Sequence, residues 1–199
     1  MKQTTPAVSA RRIVLALTFA APLWSCGPRL APTPKPATAP AEEFLNARLR
    51  GAIDADLAWS AAELHGEGGA RPDGNGIRVS LAGPLDAAGQ RIRLVFGMAA
   101  PPAAASTRAV PTNVTLIVEG ANRIFATLGD DKCSVDALVQ QPLSGAPGAA
   151  GDYRVSARGF CLEPAATLDG SERVLLSRFD FGGRIHLDEI DLRAHAQTP

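Results

Sequence analysis

From Ile77 to Phe181, apolar and polar residues alternate in short runs that clusters of Gly, Pro, Asp and Asn keep interrupting. A period of two sends successive side chains to opposite faces of an extended chain, so such runs bury their apolar face by pairing as antiparallel strands. Ile77, Val79 and Leu81 alternate with Arg78 and Ser80, and after the turn GPLDAAGQ, Ile92, Leu94, Phe96 and Met98 alternate with Arg91, Arg93 and Val95. This pattern predicts a hairpin. A second is predicted where 114–119 and 123–128 flank Gly120-Ala121-Asn122, residues that tolerate unusual backbone angles. The runs at 133–139 and 153–161 flank a Gly- and Pro-rich loop, and RVLLSRFDF at 173–181 supplies a further strand before Gly182-Gly183. The segment 65–76, HGEGGARPDGNG, reads as a polar loop. The segment 99–111, AAPPAAASTRAVP, reads as a crossover or surface loop, because proline cannot donate to a ladder.

Residues 42–64 carry two patterns at once. Leu45, Ala47, Leu49 and Ile53 alternate with polar neighbours as a strand would, yet Leu45, Leu49, Ile53 and Leu57 also recur every four residues behind Glu42 and Glu43, which suit a helix N-terminus. Strand and helix both remain open there. Near the C-terminus Leu187, Ile190 and Ala194 would share a face of a short helix. The expected fold is mainly β: an antiparallel sandwich of about seven to nine strands, favoured over a small barrel, within 42–185, followed by a tail or short helix at 186–199.

The chain has 199 residues, and its first part does not read as domain. Residues 1–12 contain Lys2, Arg11 and Arg12 and no acid, and 13–24 form an apolar run the length of a signal-peptide core, short of the roughly 20 residues that span a bilayer. The run ends in Leu23-Trp24-Ser25-Cys26, which resembles the lipobox of bacterial lipoproteins. An ordinary signal-peptidase site fits less well, since cleavage before Cys26 would place Leu23 where a small side chain is needed. Thr18-Phe19-Ala20 lies inside the apolar run. The resemblance implies a signal peptide at 1–25, removal of that leader and a lipid on Cys26.

The next segment, to Ala41, has prolines at 28, 32, 34, 36 and 40 and almost nothing to bury, so 26–41 reads as lipidated cysteine plus tether. In a polyproline conformation it would reach about 3.1 Å per residue, on the order of 40–50 Å. The remaining cysteines, Cys133 and Cys161, are an even pair; in an oxidising compartment they would form one bridge, and otherwise two buried thiols.

Removing Lys2, Arg11 and Arg12 with the leader leaves 17 basic residues against 20 acidic, a mildly acidic balance that argues against nucleic acid as a partner. His65, His186 and His195 are scattered, and HExxH, paired Cys-x-x-Cys, Gly-x-Ser-x-Gly, Ser-x-x-Lys and P-loop patterns are all missing, so the motifs give no cofactor and no catalytic residue. His65 with Glu67, and His186 with Asp188, Glu189 and Asp191, are the nearest to ligand sets, against the plainer reading of solvated polar residues. Gly129-Asp130-Asp131 reads as a turn sooner than as a calcium site. Trp59, Tyr153, Phe160, Phe179 and Phe181 are aromatic anchors for a core or, alternatively, a pocket; Arg78, Arg91 and Arg93 would line a solvent face able to meet an acidic partner or anionic glycan.

These features lead to the expectation of a lipid-anchored envelope protein, held at the inner or outer membrane with its domain facing the periplasm or outside. It would bind or scaffold an envelope protein or glycan without catalysis. Two other classes stay open: a cell-envelope hydrolase or metal-dependent enzyme using His65 and Glu67, and a carrier of a small apolar ligand.

Overall fold

The computed structural model describes residues 43–196. The leader at 1–25, Cys26 and the proline-rich segment through 41 lie outside the described residues, as does the side chain of His195.

The alternating runs form strands as expected: β1 (Phe44–Gly51), β2 (Ala55–Trp59), β3 (His65–Ala70), β4 (Ile77–Ala82), β5 (Arg91–Met98), β6 (Ser106–Thr107), β7 (Val110–Glu119), β8 (Arg123–Ala126), β9 (Cys133–Pro142), β10 (Gly151–Cys161), β11 (Ala165–Ala166) and β12 (Arg173–Leu187), followed by the helix α1 (Glu189–Ala196). Twelve strands exceed the seven to nine expected. The surplus comes from the two-residue pieces β6 and β11 and from β3, which the sequence presents as loop. Among the described residues no helix is long and apolar enough to cross a membrane.

The strands make one antiparallel sheet in the order β3-β4-β5-β7-β8-β11-β12-β10-β9-β6, with β1 on β12 and β2 outermost on β1. A further pairing of β7 with β9 closes a ring through β8, β11, β12 and β10. The sheet thereby folds over itself, and β4 and β5 face β12 across the core. Phe96 of β5 lies 4.4 Å from the Phe181 ring and 4.9 Å from the Phe179 ring. The fold is thus mainly β, one continuous antiparallel sheet closed around its core.

Over 42–64 the open choice resolves to strands. Leu45, Ala47 and Leu49 are buried against β12 while Asn46 and Arg48 face out, a two-residue period that a helix would break. β3 hid behind its composition, because glycine and polar residues rarely signal a strand. Here glycine is required by crowding: a Cβ at Gly68 would sit 2.6 Å from the Arg78 carbonyl oxygen and 2.9 Å from that of Arg184. Close approach also explains why β12 runs on through Gly182 and Gly183 to Leu187, since a Cβ at Gly183 would lie 3.0 Å from Val79.

Leu187 therefore ends a strand instead of sharing a helix face, and Ile190 is 74% exposed. The apolar helix residue that packs on the core is Leu192. The helix begins with a reciprocal cap in which the Asp191 amide donates to Asp188 and the Asp188 amide donates to Asp191.

Surface loops are closed by carboxylates. The hydroxyls of Thr167 and Ser171, with the Ser171 amide, hold the Asp169 carboxyl at about 2. Hydrogen bonds from the Asn75 amide and the Arg71 guanidinium lower Asp73, and those from Arg93 and Arg91 lower Glu119. Groups whose folded values lie below their unfolded ones stabilise the fold above about pH 4, and that contribution is lost as pH falls through the folded values. Stability should therefore decline between about pH 5 and pH 2, with Asp169 the last of the loop carboxylates to protonate. An NMR titration that placed the Asp169 midpoint near 4 would refute the Thr167–Ser171 clamp.

Candidate functional site

Most sequence-marked polar residues are occupied in holding the fold. Among the described residues Arg78 makes no side-chain hydrogen bond or ion pair, whereas Arg91 and Arg93 both bond Glu119, and Arg93 also bonds Ser80, so two of the three arginines read as lining a solvent face are engaged. A carboxylate placed opposite Arg91 on β7 is the reason. Asp130 accepts from Nη1 of Arg71 at 3.0 and 3.1 Å and from the Asn113 amide at 2.6 Å, while Nη2 of Arg71, a side chain only 11% exposed, donates to Asp73. It is a clamp between the β3–β4 and β8–β9 loops. Asp131 pairs with Lys132.

His65 and Glu67 are exposed on β3, where Glu67 reaches Arg93 at 3.6 Å. His186 pairs with Asp152 at 2.7 Å across β12 and β10, away from Asp188 and Asp191 at the helix cap, while Glu189 bonds Arg193. Among the described residues no group of three or more His, Cys, Asp or Glu side chains is placed to hold a metal ion. Cys133 and Cys161, directly opposite each other on β9 and β10, are joined by a disulfide.

Tyr153, Phe179 and Phe181 are core residues, and half-buried Trp59 lies over Gly83. Phe160 is the exception. On β10 the even positions Arg154, Ser156, Arg158 and Phe160 point outward, so its ring lies on the outer face of the sheet.

That ring borders an open hollow of about 520 Å³, lined also by Asp136, Arg158, Gly159, Ser177 and Arg178. Two bulges shape it. The β9–β10 register slips between Arg158 and Gly159, leaving Asp136 as an extra outward residue; the β1–β12 register slips between Arg48 and Leu49, leaving Ser177 as another. The slips adjoin because Gly159 pairs with both Val135 and Phe179. Gly159 permits this convergence, since a Cβ there would fall 2.2 Å from the Ser134 carbonyl oxygen. Arg178 also lines a second hollow of about 340 Å³ with Asn46, Arg48, Asp56, Leu57 and Asp180. The two hollows adjoin at Arg178, and together, termed the groove, they cross β9, β10, β12, β1 and β2.

The groove holds both paired and unpaired charges. Arg48 bonds Asp56 at 3.2 Å, and Arg50 bonds the same carboxylate at 2.8 Å and lowers its pKa. Among the described residues, Arg158, Arg178, Asp136 and Asp180 make no side-chain hydrogen bond or ion pair. Arg178 moreover stands directly opposite Arg48, a like-charge placement that disfavours the fold.

In two other depressions most of the charged lining is paired, Arg78 of the second being the exception among the described residues. One of about 270 Å³, floored by Ile53, Pro84, Ile92 and Val118, has Arg91 paired to Glu119 and Arg123 to Glu172. One of about 250 Å³ is edged by the Arg71 clamp.

The sequence marked Phe160 but gave no reason to separate it from the core aromatics. The missed signal is a skipped beat. Val135 and Leu138, and likewise Leu176 and Phe179, are successive buried residues three apart, which breaks the period of two at the two bulges.

The molecule is a mainly β, antiparallel domain with a disulfide and a polar groove on its outer face. No protein-family model, no curated protein and no solved structure matches the chain.

Proposed function

We propose that this chain is an exported lipoprotein of the bacterial envelope whose domain binds another envelope component, without catalysis, through the outer-face groove. The observation that carries the reading is the conjunction of Arg158 and Arg178 with an outward-facing phenyl ring in one hollow; among the described residues Arg78, Arg108, Arg154 and Arg173 are also without side-chain partners, but none of them lines this hollow. Unpaired arginines beside an aromatic ring are suited to recognition, because the ring face gains by leaving water while the guanidinium fork offsets its desolvation through bidentate, charge-assisted hydrogen bonds to a complementary group.

The leader, the Leu23-Trp24-Ser25-Cys26 box and the proline-rich segment support anchoring at Cys26. A disulfide is in keeping with an oxidising compartment. A tether of this composition would let the domain reach its partner while the lipid stays in the membrane.

Two measurements test the proposal. The mass of the mature chain should correspond to an N-terminal, acylated Cys26; an unmodified N-terminus overturns the anchor. Liposomes carrying the full chain should be captured by washed envelope fragments, and the double variant Arg158→Ala/Arg178→Ala should lower capture by about tenfold or more with an unchanged melting temperature. Equal capture by the variant overturns the groove as the binding site.

A further inference from the structure

Resting on the reading that the groove is the binding site, we infer that its ligand is a linear, hydroxyl-rich glycan bearing spaced carboxylates. Partner chemistry follows from which groups the groove leaves unsatisfied. It holds two unpaired cations, Arg158 and Arg178, and two unpaired carboxylates, Asp136 and Asp180. Along the strands they are interleaved: Asp180 stands opposite Arg158 on one side and Asn46 on the other.

A ligand that fits must bring anionic acceptors to the guanidiniums and neutral donors to the carboxylates. A uniformly acidic peptide satisfies the first and is repelled at the second. Sugar hydroxyls donate to Asp136 and Asp180, while an occasional ring carboxylate meets an arginine in the bidentate geometry that guanidinium favours. A neutral glycan would leave both arginines without counter-charge.

Shape points the same way. Phe160 presents a half-buried ring beside Arg158, an apolar platform for the C–H face of a sugar next to the cation for its acid group. The groove crosses five strands, and at about 4.8 Å between neighbours its length is roughly 19 Å, which suits an extended oligomer better than a compact molecule. Arg178 stands in register with Arg48, whose own charge Asp56 engages, so Arg178 is the guanidinium of that pair left for a ligand carboxylate.

Calorimetric titration of the full chain in mild detergent tests this with three probes: a hyaluronan hexasaccharide, with a carboxylate on every second sugar; chitohexaose, uncharged; and hexaglutamate. The hexasaccharide should bind at least about tenfold more tightly than either of the others. Arg158→Ala and Arg178→Ala should each weaken it by about tenfold, Arg158→Lys by less, because charge is kept and the fork is lost. Phe160→Ala should weaken the hexasaccharide and chitohexaose alike. Melting temperatures of all variants should match the parent, and a variant that melts early is replaced by Arg158→Gln or Phe160→Leu at the same position. Equal binding of hexaglutamate, absence of hexasaccharide binding, or indifference to the arginine variants overturns the inference. If envelope capture still depends on Arg158 and Arg178 while no glycan binds, the ligand class is wrong and the groove stands. If capture is indifferent to them, the groove itself is wrong.

Discussion

Phe96→Ala should destabilise the domain by about 3–5 kcal/mol, among the largest losses expected from a single truncation in the core. Phe96 is fully buried on β5, and its ring meets Phe181 and Phe179 of β12 at centroid distances of 4.4 and 4.9 Å. Those contacts join two layers that share a sheet but face each other across the interior. Removing the ring leaves a cavity bounded by strands whose spacing the sheet fixes, so collapse cannot refill it. Each lost aromatic pair adds about 0.5–1.5 kcal/mol beyond area burial. Because whole domains are stable by only about 5–15 kcal/mol, the change is a sizeable share of the total. Urea unfolding should show a lower midpoint with an unchanged slope, and Phe96→Leu should cost clearly less. A loss below about 1.5 kcal/mol for Phe96→Ala would mean that the layers are not held together at this ring.

Removing the bridge by Cys133→Ala/Cys161→Ala should cost about 3–4 kcal/mol, comparable in size but different in origin. The two cysteines are 28 positions apart and buried at the end of the β9–β10 hairpin farthest from its connecting loop. The bridge limits the unfolded chain, so its effect should appear as a lower unfolding midpoint even though little packing is lost. It also bears on the groove. Phe160 pairs with Ser134 immediately beside the bridged residues, and the slip that exposes Asp136 follows within two positions. Reduction should therefore weaken capture of envelope fragments under conditions where the domain remains folded by circular dichroism. Unchanged capture after complete reduction would separate the bridge from the groove.

The groove was harder to foresee than the fold. Arg158, Arg178, Asp136 and Asp180 each look like ordinary outward residues of a half-buried strand, the position such side chains usually take. Their significance is relational. Arg91 and Arg93, equally conspicuous in the sequence, are neutralised because Glu119 of β7 is in register with Arg91, whereas Arg178 is in register with another arginine. Register between strands far apart in the chain decides which charges are paired, and one residue of slip reverses the answer. The spacing of Val135 to Leu138 and of Leu176 to Phe179 carried a local trace of the bulges, but not the fact that both fall at one level of the sheet.

Local chemistry determined the mainly β class, three hairpins and the candidate cysteine pair, because side-chain periodicity, turn residues and cysteine count act over a few neighbours or on the whole chain at once. β3 is different: its glycines read as loop until the carbonyls of Arg78 and Arg184 close around Gly68. The closure of β7 onto β9, the layering of Phe96 on Phe179 and Phe181, and the meeting of two bulges at Gly159 likewise belong to tertiary structure. Each depends on contacts between segments remote in sequence, where packing and register, and not the preferences of any single segment, select the arrangement.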